Sequence, residues 1–161
     1  MIHGIHHVAI HTADLDRLAA FYRAAFGFVP ATDEIRWANE PAIDGAIGVP
    51  GSAARALMLR AGTCHVELFE YAAPPPREGA PLRPNDRGYT HFCVDVSDIA
   101  AEYDRLAALG MRFAQDRPAD FGQIKAVYGY DPDGNVIEIQ EVAADHDFAL
   151  GRLTALDTTA A

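Results

Sequence analysis

Two histidines and two glutamates recur in matched settings. His7 lies in Ile5-His6-His7-Val8-Ala9-Ile10 and Glu67 in His65-Val66-Glu67-Leu68-Phe69. His91 lies in Tyr89-Thr90-His91-Phe92-Cys93-Val94 and Glu138 in Val136-Ile137-Glu138-Ile139-Gln140. Imidazole nitrogen and carboxylate oxygen are both ligands for divalent metals, and two of each suit zinc, nickel, cobalt, manganese or ferrous iron. Each glutamate sits between apolar neighbours, where an isolated carboxylate is costly. A divalent ion would be its partner and would favour the ionised form. A lone strand histidine is ordinarily structural or exposed. Here the His and the Glu occur twice in the same order, which makes His7, Glu67, His91 and Glu138 candidate ligands of one divalent metal ion.

The elements that must position these residues repeat as well. The first apolar, β-branched run reads as a strand. Asp14 follows at a helix N-cap position, Leu15, Leu18, Ala19, Tyr22 and Phe26 recur at helical spacing, and Gly27 is placed to stop the helix. In the second copy Asp98 repeats the cap, Ile99, Tyr103, Leu106 and Leu109 the apolar face, and Gly110 the stop. His7 to His91 and Asp14 to Asp98 are both shifts of 84 (91 − 7, 98 − 14). Each half ends in a paired run. Ala56-Leu57-Met58-Leu59 leads through Gly62 to the Glu67 segment. Lys125-Ala126-Val127-Tyr128 leads through Asp131-Pro132-Asp133-Gly134, strong hairpin chemistry, to the Glu138 segment. The reading is α+β, with two tandem βαβββ modules. Module 1 covers 3–72, module 2 covers 88–142, and a Pro-rich linker, 73–87, joins them into one domain over 1–142. Residues 31–53, with the only tryptophan, Trp37, read as an irregular loop suited to covering a substrate. The tail, 143–161, reads as a short helix, an oligomer contact or partly disordered.

Strand alternation sorts the side chains by face. His7, Ala9 and His11 share one face, and the set with Val8 and Ile10 should pack under the helix. His6 falls on that packing face or at the edge. Tyr89, His91, Cys93 and Asp95 form the matching set in the second copy. His65, Glu67, Phe69 and Tyr71 share a face, as do Val136, Glu138 and Gln140. His11, Trp37, His65, Phe69, Tyr71, Cys93, Tyr128 and Gln140 are therefore candidate substrate-pocket residues. His3 and His146 are expected to be exposed.

Composition narrows the partners. The chain has 161 residues, half of them apolar, and a net charge of −10, which opposes a phosphate backbone and disfavours nucleic acid. Cys64 and Cys93 lack zinc-knuckle spacing and read as buried, reduced thiols. No basic start followed by an apolar run, and no apolar stretch near the roughly 20 residues of a membrane span, is present. A small-molecule substrate, no membrane association and a cytoplasmic location are the expectations.

Taken together, His7-Val8-Ala9-Ile10, Asp14-Leu15, Phe21-Tyr22, Gly27-Phe28, Val66-Glu67-Leu68, His91 before Asp98-Ile99, and Asp131-Pro132-Asp133-Gly134-Asn135-Val136-Ile137-Glu138 resemble the vicinal oxygen chelate superfamily. That superfamily holds glyoxalase I, methylmalonyl-CoA epimerase, extradiol dioxygenases and antibiotic-resistance proteins. The resemblance spans about residues 3–142. It implies a curved, mixed β-sheet cup around one metal, with His7, Glu67, His91 and Glu138 as ligands, and often a homodimer. It further implies a glyoxalase-like lyase or isomerase that chelates vicinal substrate oxygens and stabilises an enediolate or enolate during proton transfer. Glu67 and Glu138 are then the catalytic carboxylates. His11 and Tyr71 stand where bacterial glyoxalase I carries an Arg and an Asn, which points away from glutathione. An extradiol dioxygenase would use His7, His91 and Glu138 for ferrous iron, but Ala119-Asp120-Phe121 stands where its acid–base histidine belongs. A drug-sequestering resistance protein typically lacks the ligands kept here.

Overall fold

The computed structural model describes residues 4–77 and 79–153. The chain forms two compact units, one from Ile5 to Ala80 and one from Pro81 onward. The first contains β1 (His7–His11), α1 (Leu15–Phe26), β2 (Val29–Pro30), β3 (Ile35–Ala38), α2 (Pro41–Ile47), β4 (Ala53–Ala61) and β5 (Cys64–Ala73). Its sheet runs β1-β5-β4-β2, and β3 also pairs with β4. The second contains β6 (His91–Asp95), α3 (Ile99–Ala108), β7 (Arg112–Phe113), β8 (Ala119–Asp120), β9 (Ile124–Tyr130), β10 (Val136–Val142) and a 3-10 turn, Leu150–Arg152. Its sheet runs β6-β10-β9-β7, with β8 on β9. The two topologies match: the first strand of each unit pairs in parallel with the last, and the remaining pairs are antiparallel.

The helices begin where their caps predict. Asp14 accepts the Arg17 N–H at 3.0 Å and Asp98 accepts the Ala101 N–H at 3.3 Å. Gly27, at φ +67°, ends α1 in the left-handed conformation that lacks a steric penalty only without a Cβ. In the second unit the helix stops one residue earlier than Gly110 implied, with Leu109 as the cap. Leu18 and Tyr22 of α1 are fully buried with Leu59 and Leu68 of its sheet. Ile99 and Leu106 of α3 are buried with Ile137 and Ile139. Each fully buried large aliphatic side chain contributes about 1.5–3 kcal/mol, so these two cores hold the helices on their sheets.

Four expectations are corrected. Residues 31–53 are not irregular: they contain β3 and α2. The first strand is more open than its apolar pattern implied, because β1 is an edge strand, and Val8 remains 36% exposed. Cys64 is only half-buried and Cys93 is exposed, so neither is an interior thiol. His146 is half-buried, with its ring edge-on to Phe148. His3 and the last part of the tail, 154–161, lie outside the described residues. Among the described residues no helix is long and apolar enough to cross a membrane.

Candidate metal centre

Parallel pairing places each candidate histidine beside its glutamate. Glu67 of β5 is in register with Ala9, two residues beyond His7 on β1. Glu138 of β10 is in register with Cys93, two residues beyond His91 on β6. The two-residue period keeps each histidine and its glutamate on one face. His7 Nε2 then lies 3.4 Å from Glu67 Oε2, and His91 Nε2 lies 3.4 Å from Glu138 Oε2. The glutamate side chains are equally accessible, at 20% and 21%. Two ligands each about 2.1 Å from one ion stand about 3.0 Å apart at a right angle and about 3.4 Å apart at the tetrahedral angle. The observed spacing fits two donors on one divalent ion. It exceeds the roughly 2.7–2.9 Å of a charge-assisted hydrogen bond. Within either unit the donor set is one nitrogen and one oxygen; among the described residues no three His, Cys, Asp or Glu side chains are gathered as a metal-holding group.

The opposite edge of each imidazole is engaged too. His7 Nδ1 is 3.0 Å from His6 Nδ1, and His91 Nδ1 is 3.0 Å from Thr90 Oγ1. Tyr128, the cross-strand partner of Glu138, sets its ring edge-on to His91 at 5.0 Å. His65 stacks on His6, with centroids 4.7 Å apart.

The strands that carry the glutamates also anchor the helices. Three residues beyond each one, on the other face, a second carboxylate accepts the first N–H of the helix. Glu70 Oε2 takes Leu15 N–H at 2.7 Å, and Glu141 Oε2 takes Ile99 N–H at 2.9 Å. Negative charge there also complements the helix dipole. The sequence alone assigned no role to Glu70, Glu141 or Thr90, nor to the contact of His6 with His7. A second constant shift was the available signal: Glu67 to Glu138 and Glu70 to Glu141 are both 71 (138 − 67, 141 − 70), so each of these carboxylates follows a candidate ligand by three positions.

Several candidate pocket residues do come together. Trp37 of β3 lies edge-on to Phe69 at 6.1 Å and to Tyr71 at 6.0 Å, Phe69 and Tyr71 stack at 5.7 Å, and His11 meets Tyr71 at 5.6 Å. Desolvation raises the Tyr71 phenol above its ordinary value, and the nearby Glu67 charge adds to this. Tyr128 is raised in the same way, by desolvation and then by Glu138 and Cys93. Cys93 is exposed as a residue, yet its sulfur is desolvated beside β10. That, with Glu138 and Asp95, drives its pKa upward and keeps it a thiol. Gln140 is half-buried, opposite Asp95 and Ala126. His65 is occupied by His6, its Nδ1 lying 3.2 Å from the His6 carbonyl.

Comparison with known proteins agrees with this architecture. A 2-epi-5-epi-valiolone epimerase from Actinomyces sp. is 38% identical over 117 residues, covering 70% of this chain; the match spans 63% of that enzyme's length. A lactoylglutathione lyase from Pseudomonas aeruginosa is 32% identical over 65 residues, 40% of this chain and 36% of that enzyme. The crystal structure of a glyoxalase family protein from Bacillus cereus shares the fold with a TM-score of 0.77 at 18% identity, covering 86% of this chain and 93% of that one. The family model of the Glyoxalase/Bleomycin resistance protein/Dioxygenase superfamily matches residues 4–139, and the chain belongs to that superfamily.

Proposed function

We propose that the protein is a divalent-metal-dependent isomerase or lyase that transfers a proton at a carbon next to a carbonyl. His7, Glu67, His91 and Glu138 are the ligands in this reading, and Glu67 and Glu138 the proton-moving carboxylates. The observation that carries it is the duplicated His–Glu pair, with the same register and the same 3.4 Å spacing in both units. When bound, a divalent ion withdraws electron density from two adjacent substrate oxygens and acidifies the neighbouring C–H. The chain supplies the rest. A glutamate carboxylate accepts the proton and returns it. The ring cluster of His11, Trp37, Phe69 and Tyr71 presents apolar surface to the substrate's carbon skeleton.

The epimerase relative favours inversion at a stereocentre within this class. Inversion takes a proton from one face and delivers one to the other, a division of labour that suits two carboxylates. The substrate class is a small hydroxy ketone with its oxygens on adjacent carbons. The assembly in this reading is a homodimer, so sedimentation should give a species of twice the 17.4 kDa chain mass.

The test is solvent exchange. The protein is loaded in turn with zinc, nickel, cobalt, manganese or ferrous iron and incubated with open-chain and carbocyclic hydroxy ketones in D2O. Proton NMR should show loss of the signal α to the carbonyl, and chelation should abolish it. Oxygen uptake with catechols and ferrous iron, without any exchange, would replace this reading with a dioxygenase.

A further inference from the structure

We infer that His6 and Thr90 are positioning residues, each accepting the Nδ1 proton of the histidine that follows and leaving the Nε2 lone pair of His7 or His91 turned toward its glutamate. The inference rests on the reading of His7 and His91 as ligands.

A neutral imidazole has one N–H and one lone pair, and the partner of one nitrogen decides which role the other plays. A ring that gives Nε2 to a metal must carry its proton on Nδ1, and that N–H needs an acceptor. Both rings have a partner in place, at 3.0 Å: His6 Nδ1 for His7 and Thr90 Oγ1 for His91. The Nε2 edges face carboxylate oxygens at 3.4 Å, outside hydrogen-bond range, so the Nδ1 side is the engaged one. Each partner is the residue just before the histidine in sequence, and both lie 84 positions apart (90 − 6). An imidazole does in one unit what a hydroxyl does in the other, so the shared feature is the acceptor rather than the residue type.

His6 is itself held. A carbonyl only accepts, so the 3.2 Å contact between His65 Nδ1 and the His6 carbonyl makes Nδ1 of His65 the donor. Its ring then stacks on His6 at 4.7 Å and 23°. These contacts fix the place of the His6 ring; in this inference its Nδ1 accepts from His7, with the His6 proton on Nε2.

The experiment reads the tautomers directly. Long-range proton–nitrogen correlation spectra of the metal-free protein should show His7 and His91 as Nδ1–H rings. Thr90→Val should move His91 to the Nε2–H form, and Thr90→Ser should restore it. His6→Phe keeps the stack on His65 but removes the acceptor, and should move His7 alone. In zinc titrations, Thr90→Val and His6→Phe should each weaken binding about 10- to 100-fold, with Thr90→Ser close to wild type. Nε2–H rings in the wild type, or tautomers unmoved by both substitutions, would overturn the inference. A wild-type protein that binds no zinc would instead sink the metal reading, while the spectra still decide what His6 and Thr90 do to the rings.

Discussion

In the proposed reaction the two glutamates meet two demands, to hold a cation and to move a proton, whereas the histidines meet only the first. Isosteric replacement separates them. A glutamine at 67 or 138 keeps an oxygen for the cation but cannot take a proton. Glu67→Gln and Glu138→Gln should retain metal with reduced affinity and lose about 10²- to 10⁴-fold in α-proton exchange. His7→Ala and His91→Ala should lose the metal itself. Metal analysis of each purified variant, beside its exchange rate, checks this. Retention of metal in Glu67→Ala with loss in His7→Ala would reduce the set to His7, His91 and Glu138, the triad of ferrous-iron oxygenases. At this scale the placement was legible in advance: alternation put His7 on the face of Glu67 and His91 on the face of Glu138, with both glutamates mid-strand. The role of the neighbouring residue was not. An i−1 contact depends on the exact path of the chain as it enters an edge strand, and no spacing rule reports that.

At the scale of elements, Glu70 and Glu141 tie the glutamate-bearing strands to the helices that back them. Removing a carboxylate cap costs about 1–2 kcal/mol. Glu141→Ala should lower urea-unfolding stability by that amount. Glu70→Ala should cost more, because Arg55, only 17% exposed, leans on Glu70 as well as on Asp16 and Glu34. A second element answers to pH. Ser52, fully buried, donates its hydroxyl to Asp44 of α2 and accepts the Trp37 indole N–H at 2.7 Å. That hydroxyl, against a smaller upward push from burial, and the N–H groups of Gly51 and Ser52 hold the Asp44 carboxyl below its ordinary value. A carboxyl with a depressed folded pKa contributes stability above its unfolded value of about 3.9, and that stability is lost as pH falls through the folded value. Tryptophan fluorescence should therefore be flat from neutral pH down to about 4 and change below it. Asp44→Asn should remove that transition while leaving the neutral-pH core intact. This segment also shows why part of the fold escaped sequence reading. Helix α2 is only seven residues long and buries none of them, so the spacing of Ile43, Ala46 and Ile47 spans too few turns to read as an amphipathic helix. Side-chain bonds from Asp44 hold it instead; Pro41 at its first turn and Gly48 just past its end were the only local signals.

At the scale of the whole molecule, the repeat was the most legible feature, because it is written in caps, turns and strand periods, all of them local. It also poses the sharpest test. Trp37 is the only tryptophan and lies in the Ile5–Ala80 unit, whereas His91 and Glu138 lie in the other. A ligand that binds only the folded state stabilises it by about 2.7 kcal/mol at a hundred times its dissociation constant. For a chain of this length that raises the midpoint by roughly 5–10 °C. In a thermal melt followed by Trp37 fluorescence, zinc should raise the wild-type midpoint by that amount. If one ion takes all four ligands, His91→Ala and Glu138→Ala should abolish the zinc-dependent rise even though the reporter sits in the unit that was not altered. An undiminished rise in His91→Ala would mean that His7 and Glu67 bind zinc without the second pair, and the four-ligand centre would have to be given up. The metal-free midpoints of wild type and His91→Ala should agree closely, since substituting a partly exposed edge-strand side chain is worth within about 0.5 kcal/mol. Agreement there assigns any difference seen with zinc to the ion and not to weakened folding.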